Sequence, residues 1–151
     1  MELTPRVMPQ CDDRVVISEV NWPLVRTGTW SPVTATYKHP NAPENPLSVS
    51  EFEYGVFVLR YLVIVICSGF VEQVYWWRIV ADGFGLVDER IEGEWRKRDG
   101  FRMLQVFLEQ LGSATFVEKL ETEEEVSTLR FEGEDDQIIM LWCNGRSFAG
   151  P

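Results

Sequence analysis

RVVISEV at residues 14–20 and VEQVYWWRIV at residues 71–80 are the two stretches that decide the fold. Both are rich in β-branched and aromatic residues, which is typical of strands that are covered on both faces of a parallel sheet. Asn21-Trp22-Pro23 ends the first strand. Because a helix is predicted between them, the order strand, helix, strand gives a right-handed parallel βαβ unit and an α/β fold class.

The connecting helix is predicted to begin near residue 50, where the overlapping capping-box patterns Ser48–Glu51 and Ser50–Glu53 occur. It ends near Gly69, a residue that suits the position after a helix C-cap. The preceding residues 21–49 contain five prolines and are predicted to form a long loop.

A second helix is predicted over Asp99–Leu111, with Gly112 ending it. Its apolar face would carry Phe101, Leu104, Phe107, Leu108 and Leu111. Three short strands follow, at Thr115–Leu120, Val126–Phe131 and Gln137–Cys143, and their acidic turns favour an antiparallel meander. The acidic cluster Glu121–Glu125 is interpreted as a solvated turn.

Composition and charge narrow the class of partner. The 151 residues are 45% hydrophobic, which excludes wholesale disorder, and the net charge of −10 argues against nucleic acid or an anionic membrane surface. The longest apolar run, residues 55–70, contains Arg60 and falls short of the ~20 residues of a membrane span. MELTPRVMPQ at the amino terminus has no features of a signal peptide, so we expect a cytoplasmic location.

Metal and cofactor chemistry finds little support in the sequence. The three cysteines lack CxxC spacing, and the one histidine, His39, lies in a Pro/Asn-rich stretch without a partner for a catalytic triad. Residues 81–88 contain Gly83 and Gly85 but match no phosphate-binding pattern, so a tight loop at the end of a barrel is predicted. We expect neither a metal nor a cofactor.

Side chains at the carboxyl ends of the two strands are the candidates for chemistry, since ligands of parallel α/β folds bind there. They are Glu19, Asn21 and Trp22 on the first strand, and Trp76, Trp77, Arg78 and Asp82 on or after the second. A carboxylate that ends a buried strand is costly unless it is paired or functional. Glu19 is therefore either a functional group or the partner of Arg78 in a structural ion pair.

The tryptophans have two interpretations as well. An indole face covers the C–H face of a pyranose, so Trp22, Trp76 and Trp77 are candidates for sugar contacts, and core packing is the alternative for each. Adjacent strand residues point to opposite faces, so at most one of Trp76 and Trp77 can face an inner pocket.

Residues 17–24 (ISEVNWPL), followed about fifty residues later by 74–88 (VYWWRIVADGFGLVD), resemble the end of a (β/α)8 barrel of the retaining glycoside hydrolases, with family 39 the nearest in pattern. The resemblance implies that Val15–Val20 is barrel strand seven with Glu19 as its nucleophile. It also implies that Val74–Val80 is strand eight and that Trp77 or Trp76 lines the subsite of the substrate, a carbohydrate. Asn21 and Trp22, just after strand seven, are the further candidates for substrate contact.

On this resemblance, residues 1–112 are a partial barrel, namely the last two βα units of a TIM-type barrel. Residues 113–151 begin the small antiparallel β-domain that often follows such a barrel. A complete barrel needs about 250 residues, and retaining hydrolysis needs a second carboxylate about 5 Å from the nucleophile. The family places this acid/base in an Asn-Glu pair at the end of strand four, and no candidate strand of that kind precedes Glu19 here. The chain is therefore predicted to be a glycosidase fragment that is inactive alone.

Two alternatives stay open. In the first, the chain is a non-catalytic module that binds carbohydrate or a protein through the exposed barrel edge, because unpaired strand edges are templates for association. In the second, copies of the chain self-associate through the exposed barrel strands to complete a barrel-like assembly. Marginal stability is expected in either case, since a two-stranded parallel unit has too few partners for its apolar faces.

Overall fold

The structure is a computed structural model that describes residues 15–25, 47–81, 83–89, 93–122 and 125–143. Cys11, His39, Asp82 and most of the predicted 21–49 loop lie outside these ranges. In chain order the elements are β1 (Val15–Val20), α1 (Glu51–Cys67), β2 (Val71–Trp76), β3 (Val87–Asp88), β4 (Arg96–Lys97), α2 (Asp99–Leu111), β5 (Thr115–Leu120), β6 (Val126–Glu132) and β7 (Gln137–Cys143).

β1 and β2 form a parallel pair connected through α1. In the register of the pair Val15 lies opposite Val71 and Val20 lies opposite Trp76. Within the described ranges no third strand pairs with either one. That this βαβ unit is the end of a (β/α)8 barrel stays a prediction.

The expectation that both strands are covered on both faces is wrong for this chain. No residue of β1 or β2 is fully buried, and Val16, Glu19 and Tyr75 are exposed. The physical reason is that α1 packs against one side of the pair, while no described element packs against the other. The alternating exposure that results belongs to a sheet with one solvated face.

β2 also ends four residues before the predicted Val80. The Trp77 N–H still donates to the Val20 carbonyl, 3.2 Å away, but the next residues leave the direction of the pair. The Ile79 carbonyl instead accepts from the Val87 N–H at 2.8 Å. The Ile79 carbonyl, which would have extended the ladder of β2, is thus hydrogen-bonded to the start of β3.

Local signals fix the ends of α1. Of the two overlapping capping-box patterns, the structure uses Ser50 and Glu53: the Glu53 N–H donates to Ser50 Oγ at 3.2 Å, and the Ser50 N–H donates to Glu53 Oε2 at 2.9 Å. Ser68 is the C-cap, and Gly69 follows with φ of +69°, a conformation that glycine adopts without strain. The predicted start and end of this helix are confirmed.

α2 has the predicted bounds, and β5, β6 and β7 form the predicted antiparallel meander in that spatial order. The assignment of Leu108 to the apolar face is wrong, because the sheet packs on the side of the helix that carries Phe107 and Leu111 and leaves Leu108 58% exposed. The resulting core, called the helix–meander core below, consists of Val63, Phe107, Leu111, Leu129 and Phe131. It joins residues from both sides of the predicted division at residue 112.

A second buried cluster lies nearer the parallel pair and consists of Leu24, Tyr54, Val58 and Leu86. α1 contributes to both clusters, so this helix connects the parallel pair to the meander. None of the helices in the described part of the chain is long and apolar enough to cross a bilayer.

Candidate functional site at the carboxyl ends of β1 and β2

Glu19 lies next to the carboxyl end of β1, and its side chain is exposed. Arg78 is exposed too, and among the described residues no ion pair joins the two. The interpretation of Glu19 as a structural partner of Arg78 is therefore wrong. Burial does not explain this carboxylate either, so its position at the strand end is the remaining argument for a function.

The Asn21 side chain, which immediately follows β1, is fully engaged in hydrogen bonds. Its amide nitrogen donates to the backbone carbonyls of Trp77 and of Phe84, the latter at 2.8 Å. Its Oδ1 accepts from the Trp22 N–H at 2.7 Å and from the Tyr54 hydroxyl at 2.9 Å. The predicted substrate-binding amide thus joins the ends of both parallel strands to the 83–85 turn and to α1.

Tyr54 is the centre of this arrangement, and the sequence analysis did not single it out. Its ring is fully buried, and its hydroxyl lies 2.9 Å from Asn21 Oδ1 and 2.8 Å from the Phe84 carbonyl, two acceptors that share one proton. The same oxygen accepts from the Trp76 indole N–H at 3.1 Å. Burial raises the pKa of Tyr54 well above its ordinary value, so the hydroxyl stays protonated and acts as a neutral donor. We call Asn21, Tyr54 and Trp76 the strand-end network.

Two of the three candidate tryptophans pack inside the protein. The Trp22 ring lies 5.4 Å from Phe57, 5.7 Å from Tyr61 and 5.8 Å from Trp76, centroid to centroid, and both indoles are half-buried. The surroundings of Trp22 and Trp76 are therefore those of the core-packing alternative. Trp77 differs, because its side chain is 43% exposed and the strand alternation directs it away from the side of Trp76.

The glycine-bearing segment 81–88 forms a tight turn, with the Gly85 N–H donating to the Ala81 carbonyl at 3.1 Å. A Cβ at Gly85 would overlap the Ala81 backbone, which explains the glycine. Arg98, fully buried, donates to the carbonyls of Ala81 and Gly85 at 2.9 and 2.6 Å, and its Nη2 lies 3.3 Å from the buried Asp88 carboxylate. The sequence carries no signal for this arginine, because its partners are set by tertiary contact.

Arg96 extends these charges to the start of α1. Its guanidinium donates to both carboxylate oxygens of Glu51, at 2.8 Å each, and to Asp88 Oδ2 at 3.1 Å. The hydrogen bonds from Arg96 lower the pKa of Glu51 below its usual value of 4.5, against a smaller opposing effect of burial. Glu51 and Asp88 are therefore committed to ion pairs.

No group of described residues has the composition of a metal site. A shallow groove of about 720 Å³ lies at the turn between β6 and β7, lined by Thr115 and residues 132–137. It belongs to the meander, so the sequence-predicted site residues do not line it.

Comparison of the chain with models of protein families, with curated proteins and with solved structures finds no match in any of the three. The resemblance of the two strand-end motifs to a glycosidase barrel stays a prediction.

Proposed function

We propose that this chain is the carboxyl-terminal part of a retaining glycoside hydrolase, with Glu19 as the nucleophile of the complete protein. The observation that carries the proposal is the exposed Glu19 carboxylate at the carboxyl end of β1, beside a parallel strand followed by the exposed indole of Trp77. Parallel α/β folds present their reacting groups at this edge.

In this proposal Glu19 attacks the anomeric carbon and forms a covalent glycosyl–enzyme intermediate, while the aglycone leaves with a proton from a second carboxyl group. Water, deprotonated by that same group, then attacks the anomeric carbon, and Glu19 leaves with net retention of configuration. Trp77 covers one face of the sugar. Asn21 positions the strand ends through its hydrogen bonds.

We do not assign the second carboxyl group, the acid/base, to any described residue of this chain. Glu51 and Asp88 are held by Arg96 and Arg98, so neither is poised to give up and take back a proton. We propose that an earlier barrel strand supplies this group and that the 151-residue chain alone is inactive. General acid–base help contributes ~10²–10⁴-fold, and a missing barrel also costs the positioning of the nucleophile.

The test begins with the DNA upstream of the Met1 codon, translated in all frames. The proposal expects about six further βα units, with Asn-Glu ending the fourth strand. In the extended protein, Glu19→Gln should lower kcat by more than about 10³-fold, since the nucleophile is lost. Glu72→Gln, at an exposed glutamate of β2, is the matched control and should retain activity.

A Glu19→Ala variant sharpens the test, because azide can enter the space of the missing carboxylate. With an activated aryl glycoside, azide should restore turnover and give the glycosyl azide of inverted configuration. Absence of coding sequence upstream, or full activity of Glu19→Gln, would contradict the proposal.

A non-catalytic module for carbohydrate or protein is the second candidate, and the uncovered face of the parallel pair favours it. Val16, Tyr75 and Trp77 are apolar or aromatic and at least 43% exposed. For this candidate, Trp77→Ala should abolish oligosaccharide binding, which is measured from the shifts of the indole N–H resonances. Trp95→Ala, at a tryptophan that is 73% exposed in the segment before β4, is the control and should leave it unchanged. A chain that binds no oligosaccharide would count against a carbohydrate module.

The proposal involves no metal, cofactor, nucleic acid or membrane. The cytoplasmic location and self-association through β1 and β2 stay predictions from the sequence.

A further inference from the structure

β7 is an edge strand of unusual composition. In the described residues it pairs with β6 alone, and its seven residues, Gln137–Cys143, include no charge. Ile139 and Leu141 are 48% and 64% exposed on its outer face. Long apolar edges of this kind are templates for another strand.

The turn before β7 shows which backbone groups of the strand face the free edge. The Gly133 N–H donates to the Asp136 carbonyl at 2.9 Å, which makes these two residues a hydrogen-bonded pair. Hydrogen-bonded and non-hydrogen-bonded pairs alternate along an antiparallel ladder. Counted from Asp136, every second residue of β7 therefore directs its backbone groups to β6, and Met140 is one of these residues. Ile139 and Leu141 then direct their N–H and carbonyl groups outward.

The opposite edge of the same sheet is protected. β5 carries the exposed charges of Glu118 and Lys119, and its register with β6 is irregular between Phe116 and Glu118. Charges and bulges are the usual devices that prevent pairing at an edge. β7 has neither, since its register with β6 is regular over the whole strand.

We propose that β7 pairs antiparallel with β7 of a second copy of this chain and so forms a continuous six-stranded sheet. The register that pairs the whole strand is centred on Met140. It places Ile139 opposite Leu141 of the second copy and Gln137 opposite Cys143 of the second copy. These pairs join residues with outward backbone groups, as a hydrogen-bonded ladder requires.

Charge restricts where two copies of this chain can meet, and β7 in this orientation satisfies the restriction. The chain has a net charge of −10, so two copies repel each other over most of their surfaces, whereas β7 brings no charge against its own image. Antiparallel pairing also keeps the acidic turns, residues 134–136, at opposite ends of the shared strand. Seven residues separate them by roughly 24 Å, about three Debye lengths at physiological ionic strength.

The primary experiment is sedimentation equilibrium of the full 151-residue chain from micromolar to submillimolar concentration. At submillimolar concentration we expect the mass of two chains for the parent protein. For Leu141→Lys we expect the mass of one chain, because pairing would bring two like charges into the shared pair of strands. Val117→Lys is the matched control, since Val117 is exposed on β5, and it should dimerise like the parent chain. Circular dichroism confirms that the variants are folded.

A cross-link tests the register independently. Gln137→Cys should form an intermolecular disulfide with the native Cys143 under air oxidation, seen as a dimer on non-reducing gels. Gln137 and Cys143 lie at opposite ends of one strand and cannot bond within a chain. Gln137→Cys combined with Cys143→Ser should lose this dimer.

A monomer at every concentration would overturn the proposal, as would a dimer that persists in Leu141→Lys. A dimer broken by Tyr75→Lys and retained in Leu141→Lys would also overturn it, because association would then occur at the parallel pair.

Discussion

The strand-end network and the helix–meander core are held together by different forces. Every contact described for Asn21 is a directed hydrogen bond, and the adjacent turn is held by the buried Arg98. The helix–meander core is apolar, with Leu129 and Phe131 packed against the two helices. Hydrogen bonds fix direction and position, whereas apolar burial supplies stability with little directional preference.

The two regions of the protein are therefore ordered in different ways. The parallel pair has one covered face, where Trp22 and Trp76 pack against a buried apolar cluster. Polar bonds among Asn21, Tyr54 and the 83–85 turn add direction at the ends of its strands. Such an arrangement fixes the positions of the strand ends, and α1 packs against the meander through the helix–meander core.

The largest expected effect is from Arg98→Met. The change removes one of the two arginines that pair with the buried Asp88, and Arg96 alone remains. It also takes a donor from the carbonyls of Ala81 and Gly85, so the free energy of unfolding should fall by about 3–5 kcal/mol. Urea unfolding followed by circular dichroism measures it. Arg102→Met, at an exposed arginine paired with Asp99, is the control and should cost less than about 1 kcal/mol. Equal losses in the two variants would show that the buried contacts of Arg98 stabilise the protein no more than an exposed ion pair does.

Leu129→Ala tests the other region. Loss of a buried leucine leaves a cavity and should lower the free energy of unfolding by about 2–5 kcal/mol. Indole N–H resonances of Trp22 and Trp76 should shift little in the folded variant, because the strand-end network does not depend on this side chain. Large shifts there would show that the two regions are coupled more tightly than we describe.

Tyr54→Phe removes the hydroxyl and keeps the ring. The Trp76 N–H and Asn21 Oδ1 each lose a partner, and we expect a loss of about 1–3 kcal/mol in urea unfolding. Tyr75→Phe, at an exposed tyrosine whose hydroxyl contacts Gln73, is the control and should change stability by less than about 0.5 kcal/mol. A neutral result for Tyr54→Phe would contradict the role of the strand-end network.

The smallest effect concerns pH. Because Arg96 holds the pKa of Glu51 below its unfolded value of 4.5, the pair stabilises the protein above that pH and loses its contribution as pH falls through the lowered pKa. Both side chains are partly exposed, so we expect about 0.5–1 kcal/mol. The difference in unfolding free energy between the parent and Glu51→Gln should be present at pH 7 and vanish at low pH. A difference that grows on acidification would contradict the stated sign.

Sequence was a good guide to what neighbouring residues determine. The capping box of Ser50 and Glu53, the turn at Gly69 and the bounds of α2 rest on contacts within a few residues and were predicted. The end of β2, the exposure of Leu108 and the roles of Tyr54 and Arg98 depend on contacts eight or more residues apart in the chain, and the sequence pattern carried no signal for them. Glu19 was chosen for an expected burial that the structure does not show.

Trapping the covalent intermediate tests directly whether Glu19 is the nucleophile. The protein extended by its upstream coding sequence is incubated with a 2-deoxy-2-fluoro glycoside bearing a good leaving group, digested, and mapped by mass spectrometry. We expect one fluoroglycosyl adduct on the peptide that contains Glu19 and none in Glu19→Gln. An active enzyme that carries the adduct on another carboxylate would contradict it.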